Sequence, residues 1–137
     1  MSIIAIVGAQ ENKWAPEQKE QAKIYIRGII FNLYNTTTDN LIIISGHCPK
    51  GGVDIWVEEI VDNLISQHDY NKISMKMYPS SINKWSGKGG YKQRNTEMAT
   101  DCDILYDIEP KGVWSGGTWT MKLAEKLGKE THKIEVE

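Results

Sequence analysis

Two stretches of the chain, Ser2–Val7 (SIIAIV) and Leu41–Ile44 (LIII), are almost continuously apolar and are too short to be helices. Runs of this kind suit strands buried on both faces, as in a parallel sheet covered by helices on either side. The segments between and after them carry helical spacing instead. Pro16 fits the first position of a helix, with Glu17 and Glu20 in its first turn, and Ala22, Ile26, Ile29, Ile30 and Leu33 continue it. Val53, Trp56, Val57, Ile60, Val61 and Leu64 make a second helical stripe. Ile73–Tyr78 alternates, and Tyr91–Thr100 reads as a short helix after a loop over 79–90. Asp103–Ile108 is a fourth strand. Thr118, Met121, Ala124 and Leu127 mark a last helix, stopped by Gly128, and His132–Glu137 is a final alternating strand.

This alternation predicts an α/β fold: one Rossmann-like three-layer domain over 1–137, with a five-stranded parallel sheet. The first two runs, apolar throughout, belong at the centre; the alternating third and fifth belong near the edges. Right-handed crossovers then favour the order 3-2-1-4-5. In that order the chain reverses direction between the first and fourth strands. Open α/β sheets bind ligands at this switch point, beyond the carboxyl ends of the strands. The site is therefore expected from residues 8–15, 45–54 and 108–118, with the loop after the third strand on its flank.

Composition narrows the function classes. Sixteen Lys+Arg against 18 Asp+Glu give a net charge of −2, which argues against a protein that coats duplex nucleic acid. No apolar run approaches a membrane span, and the N-terminal residues read as a strand rather than a leader. Cys48 and Cys102 form neither a CxxC pair nor a disulfide framework, so a reducing cytoplasm is expected. His47 beside Cys48 lacks a second ligand pair, and neither a metal nor a resident cofactor is expected.

The glycine-rich loops at the expected rim carry the functional reading. Ser45-Gly46-His47-Cys48-Pro49-Lys50-Gly51-Gly52-Val53-Asp54 lies between a buried strand and a helix start. It is either a tight turn with Asp54 capping the helix, or a cradle whose N–H groups face an anion. It matches neither GxGxxG nor GxxxxGK[ST]. Ser115-Gly116-Gly117-Thr118 opens the last helix, where Ser115 or Thr118 caps it and the glycines expose N–H groups to phosphate. Residues 84–94 hold Lys84, Lys88, Lys92 and Arg94 with no acid. They suit phosphate or carboxylate, and their cation–aromatic mixture also suits single-stranded nucleic acid. Glu97, three residues after Arg94, is a candidate acid/base or a partner for Arg94. Of the five Trp, only Trp56 lies within a helix stripe; Trp14, Trp85, Trp114 and Trp119 map to the rim. Trp14, Trp85 and Trp114 are the candidates for stacking a base.

Four segments together resemble the SLOG superfamily, which groups the Smf/DprA domains with the LOG phosphoribohydrolases. They are Val7-Gly8-Ala9; Ser45-Gly46 with Gly51, Gly52 and Asp54; Lys88-Gly89-Gly90 with Arg94-Asn95 and Met98; and Ser115-Gly116-Gly117-Thr118. Their order spans nearly the whole chain and looks most like the small single-domain members. The resemblance implies a nucleotide or nucleotide-derived ligand at the switch point. On this reading Gly8, Ala9, Ser45, Gly46, Gly51, Gly52, Asp54, Lys88, Gly89, Arg94, Asn95, Ser115, Gly116, Gly117 and Thr118 bind it. The alternatives are a nucleoside-monophosphate N-glycosidase using Asp54 and Glu97, and a single-stranded nucleic-acid binder related to the DNA-processing domains. A homo-oligomer is compatible with each.

Overall fold

The computed structural model describes residues Met1–Glu137. The chain runs β1 (Ser2–Gly8), a 3-10 turn (Glu11–Lys13), α1 (Pro16–Thr36), β2 (Leu41–Ser45), α2 (Val53–His68), β3 (Ile73–Met77), α3 (Tyr91–Asp101), β4 (Ile104–Pro110), α4 (Gly116–Lys126) and β5 (Glu130–Val136). The strands form one five-stranded sheet in the order β3-β2-β1-β4-β5, and every neighbouring pair is parallel. The fold class and strand order are those expected from the sequence. No helix is long and apolar enough to cross a membrane.

The alternation of side chains along a strand divides the core. Ile4 and Ile6 of β1 point to one face and pack with Ile26, Ile30, Val57 and Val61 of α1 and α2. Ala5 and Val7 point to the other and pack with Met98 and Ala99 of α3 and with Met121 and Ala124 of α4. β1 is therefore covered on both sides, which is why its sequence is apolar throughout. The edge strands follow the opposite logic. In β5 most residues are partly or fully exposed, and Met77 at the end of β3 is 48% exposed.

Two strand boundaries lie two residues from the sequence expectation, and the other differences are of one residue. β5 begins at Glu130, two residues earlier than predicted, because it pairs with β4 from Ile104↔Glu130 onward. β4 continues past Ile108 to Pro110. That extension adds Glu109 to the face already carrying Asp107, and both side chains are fully buried.

Candidate functional site

A cavity of about 260 Å³ lies at the carboxyl ends of β1, β2 and β4, where the strand order reverses. Three regions converge on it: the β2–α2 loop and the start of α2 through Gly46, Cys48 and Asp54, the start of α3 through Tyr91, Arg94 and Asn95, and the start of α4 through Ser115, Gly116 and Gly117. Gly8 and Gln10 at the end of β1 complete the floor, and Trp85 and Trp114 stand beside the opening.

Arg94 is the dominant charge. It is 8% exposed. Its Nε donates to Asn95 Oδ1 at 2.6 Å, and one terminal nitrogen donates to the Gly46 carbonyl. Its guanidinium carbon lies 5.3 Å from the Tyr91 ring centroid. No carboxylate forms an ion pair with it. A buried cation without a direct ion pair is costly, and the neighbouring Asp54 carboxyl, itself disfavoured as an anion by burial, offsets it only in part, so this site favours an anion. A Cβ on Gly46 would sit 2.6 Å from Arg94 and 2.8 Å from Asp54 Oδ2, so the absent side chain is what leaves this polar floor open.

Asp54, in the first turn of α2, is buried beside Arg94 and accepts the Cys48 N–H at 3.2 Å. Burial raises its carboxyl to about 6, and the nearby Arg94 charge opposes that shift.

At α4, Ser115 is the N-cap. Its Oγ accepts the Gly117 N–H at 3.0 Å and donates to Glu109 Oε2 at 2.6 Å. The Ser115 N–H donates to Thr118 Oγ1 at 3.2 Å. The hydroxyls of Ser115 and Thr118 are thus engaged within the chain. Thr118 is fully buried, which corrects the expectation that it faces a ligand. The Gly116 N–H, at the first helical position, has no partner in the chain. A Cβ on Gly117 would lie 2.8 Å from Gly8 N and Asp107 Oδ1 and 2.9 Å from Glu109 Oε2. Only glycine lets α4 dock this closely.

Asp107 and Glu109 lie beneath that contact and were not singled out in the sequence. Both oxygens of Asp107 and Oε1 of Glu109 lack hydrogen-bond partners. Burial, then the adjacent Asp107 carboxyl, pushes Glu109 far above the ordinary carboxylate range, so Glu109 is a neutral acid near neutral pH. Their signal was readable: two acids spaced i, i+2 share one face of a central strand.

Several expected site residues are elsewhere. Trp14 is 6% exposed and belongs to the core: the 3-10 turn folds its indole back so that Nε1 donates to the Ala9 carbonyl at 3.1 Å, edge-on to Trp56. It cannot stack a ligand. Ala9 is buried, and its carbonyl also accepts the Val53 N–H. Ser45 is buried and donates to Glu58 at 2.6 Å. Gly51 and Gly52 have φ of 75° and 87°; a Cβ on Gly52 would meet Gln10 Cα at 2.6 Å and the Ala9 carbonyl. They seat α2 against the end of β1 and do not line the cavity. Gly89 closes the 79–90 loop by accepting the Ser81 and Ile82 N–H groups. Lys88 is exposed outside the cavity, and Glu97 lies on the outer face of α3, away from Arg94. Glu97 is therefore not a candidate acid/base for this cavity.

The loop over 79–90 has a positioning role. Its carbonyls at Lys84 and Trp85 accept the Tyr91 and Lys92 N–H groups that open α3. This holds Trp85 against Trp119, edge-on with centroids 5.0 Å apart, beside Gly116. Trp85 is 38% exposed and Trp114 66%.

No family model matches the chain, and no curated protein does. Among solved structures it is similar to the molybdenum cofactor carrier protein MCP from Chlamydomonas reinhardtii. The TM-score is 0.63 at 14% identity, over 96% of this chain and 75% of that one. At this identity the likeness shows a shared Rossmann-like fold.

Proposed function

We propose that residues 1–137 act as one Rossmann-like domain that binds a nucleotide or nucleotide-derived phosphorylated ligand at the β1/β4 switch point. The observation that carries this reading is Arg94: a buried guanidinium with no ion-pair partner, in a cavity that also holds the free Gly116 N–H. Phosphate suits both, because a helix N-terminus and a guanidinium each favour an anion. Trp85 and Trp114 offer aromatic faces to a base at the opening. A cavity of about 260 Å³ suits the phosphate and sugar, with the base against the Trp pair. The structural neighbour is by name a carrier of a cofactor, and a holding role agrees with the loss of Glu97 from the site. The order of motifs shared with the SLOG superfamily supports a nucleotide in particular, and the free Cys48 and Cys102 suit a reducing cytoplasm.

A second reading, cleavage of the N-glycosidic bond of a nucleoside monophosphate, rests on Asp54. It is the one carboxylate lining the cavity, and burial raises its pKa toward neutrality. The nucleic-acid reading rests on Lys84, Lys88 and Lys92, which are exposed and form no ion pair.

Calorimetric titration with the common nucleoside 5′-monophosphates and the matching nucleosides tests the main reading. The monophosphates are expected to bind at least about tenfold more tightly, the scale of one charge-assisted contact. Equal affinities would remove phosphate recognition. Chromatography of the same mixtures detects free base, whose absence removes the hydrolase. Oligonucleotide binding that falls steeply with salt would favour the nucleic-acid reading instead.

A further inference from the structure

The loop after β2 reaches the cavity through Gly46 and Cys48, but the side chain between them turns away. The His47 imidazole meets Glu58 of α2, and neither residue lines the cavity. His47 Nδ1 donates to the Glu58 carboxylate, at 2.8 Å to Oε1 and 3.0 Å to Oε2. A carboxylate only accepts, so Nδ1 carries the proton. Glu58 Oε2 also accepts the hydroxyl of fully buried Ser45 at 2.6 Å. That hydroxyl in turn accepts the His47 N–H at 3.2 Å. His47 has φ of 49° and is one of two non-glycine residues in the left-handed region. This conformation is uncommon for a residue with a side chain and persists where neighbours fix it.

The His47 N–H and the Gly46 carbonyl are the two ends of one planar peptide unit. Holding the N–H on Ser45 therefore aims the carbonyl the opposite way, and there it accepts from Arg94 Nη1. With Nε donating to Asn95, this leaves Nη2 as the Arg94 nitrogen without a partner in the chain. Glycine at 46 does not by itself resist rotation of that peptide. We propose that Glu58 is a positioning residue for the cavity. Through Ser45 and His47 it fixes the Gly46–His47 peptide, and so fixes which edge of the Arg94 guanidinium is left for an anion. The functional meaning of this contact rests on the proposed phosphate site.

Nuclear magnetic resonance of the guanidinium groups tests this in the protein without ligand. The chain has two arginines, and Arg27→Lys leaves only the Arg94 signals. In the parent, rotation about the Arg94 Nε–Cζ bond is expected to be slow, because the Gly46 carbonyl holds Nη1. Glu58→Ala is expected to speed it about tenfold, the scale of one lost hydrogen bond to a charged group. Glu58 is half-buried on α2 and alanine keeps the helix, so the fold is retained, which far-UV circular dichroism checks. Ser45→Ala, which keeps the Glu58–His47 contact, is expected to speed the rotation as well. Glu58→Gln, whose amide oxygen still accepts the Ser45 hydroxyl, should stay within about twofold of the parent. Sulfate titration adds a sign. Glu58 lies close enough to the cavity for its charge to act on Asp54, so deleting that charge alone would tighten anion binding. Loss of positioning weakens it, and Glu58→Ala is expected to bind sulfate several-fold more weakly. An unchanged rotation rate in either folded alanine variant overturns the proposal, as does tighter sulfate binding by Glu58→Ala. A parent that binds no sulfate removes the phosphate reading of the cavity instead, and the rotation rates still decide the role of Glu58.

Discussion

The loops after β2 and β4 each bring a glycine pair to a helix start at the same rim of the sheet. Gly51 and Gly52 both adopt positive φ; Gly52 brings the start of α2 against the Ala9 carbonyl and Gln10, and Gly51 lies against the Glu11 side chain. Gly116 and Gly117 line the cavity. Within the β4–α4 loop the tasks are divided again: Gly117 is held by packing against Gly8, Asp107 and Glu109, whereas a Cβ on Gly116 would meet only the side chains of Asn95 and Trp85 at 3.4 and 3.6 Å, and its N–H is unpartnered. Glycine at a helix start therefore has two separate physical uses, close packing of backbone and exposure of donors. What the omitted Cβ would meet distinguishes them.

That contrast is open to direct attack. Gly52→Ala is expected to have the largest effect on stability, about 3 kcal/mol or more, since it adds a Cβ at φ 87° against backbone atoms. Urea denaturation measures it. Glu109→Ala comes next, at about 2–4 kcal/mol, because it strips Ser115 Oγ of its acceptor and leaves Asp107 buried without its neighbour. Glu109→Gln should remain within about 1 kcal/mol of the parent near neutral pH, where the native side chain is already uncharged.

The Glu109 pair also has a pH signature. Its folded pKa is raised, so above the ordinary carboxylate range the folded state holds a proton that the unfolded state has released. Stability must fall as pH rises through that window, by up to about 1.4 kcal/mol per pH unit for one proton. Thermal melts from neutral to mildly alkaline pH should show this slope in the parent and lose it in Glu109→Gln.

Smaller effects belong to the cavity itself. Gly116→Ala should change stability by less than about 1 kcal/mol, since its Cβ meets Asn95 Nδ2 at 3.4 Å and Trp85 at 3.6 Å, yet it should weaken ligand binding. A result in which Gly52→Ala is harmless and Gly116→Ala unfolds the chain would invert the comparison. Asp54 predicts the mildest change. Its carboxyl titrates near 6, so below that pH a repelling charge beside Arg94 disappears. Sulfate, whose own charge is constant in this range, should bind a few-fold more tightly at about pH 5 than at about pH 7. Asp54→Asn should abolish that difference.

The sheet order was legible because β1 and β2 are apolar at nearly every position while β3 and β5 alternate, and burial on both faces leaves that mark. Arg94 was legible as the arginine that ends a basic, glycine-rich segment at the rim, whereas Asn95 was picked out only by the motif it shares with Arg94. Trp14 was not legible, because only the 3-10 turn after β1, which carries no hydrophobic period, folds its indole under the Ala9 carbonyl. Asp107 and Glu109 escaped because the apolar run ends at Ile108, one residue short of the second acid. The glycine loops escaped in part because the sequence shows that a Cβ is missing but not what it would have touched.

On the proposed reading, buried Arg94 holds the phosphate of the ligand. Calorimetry of nucleoside 5′-monophosphates with the parent and Arg94→Ala tests it most directly. The variant is expected to lose about 1.5–3 kcal/mol of binding free energy, roughly a ten- to hundredfold weaker Kd. Equal affinity in the two proteins would contradict it.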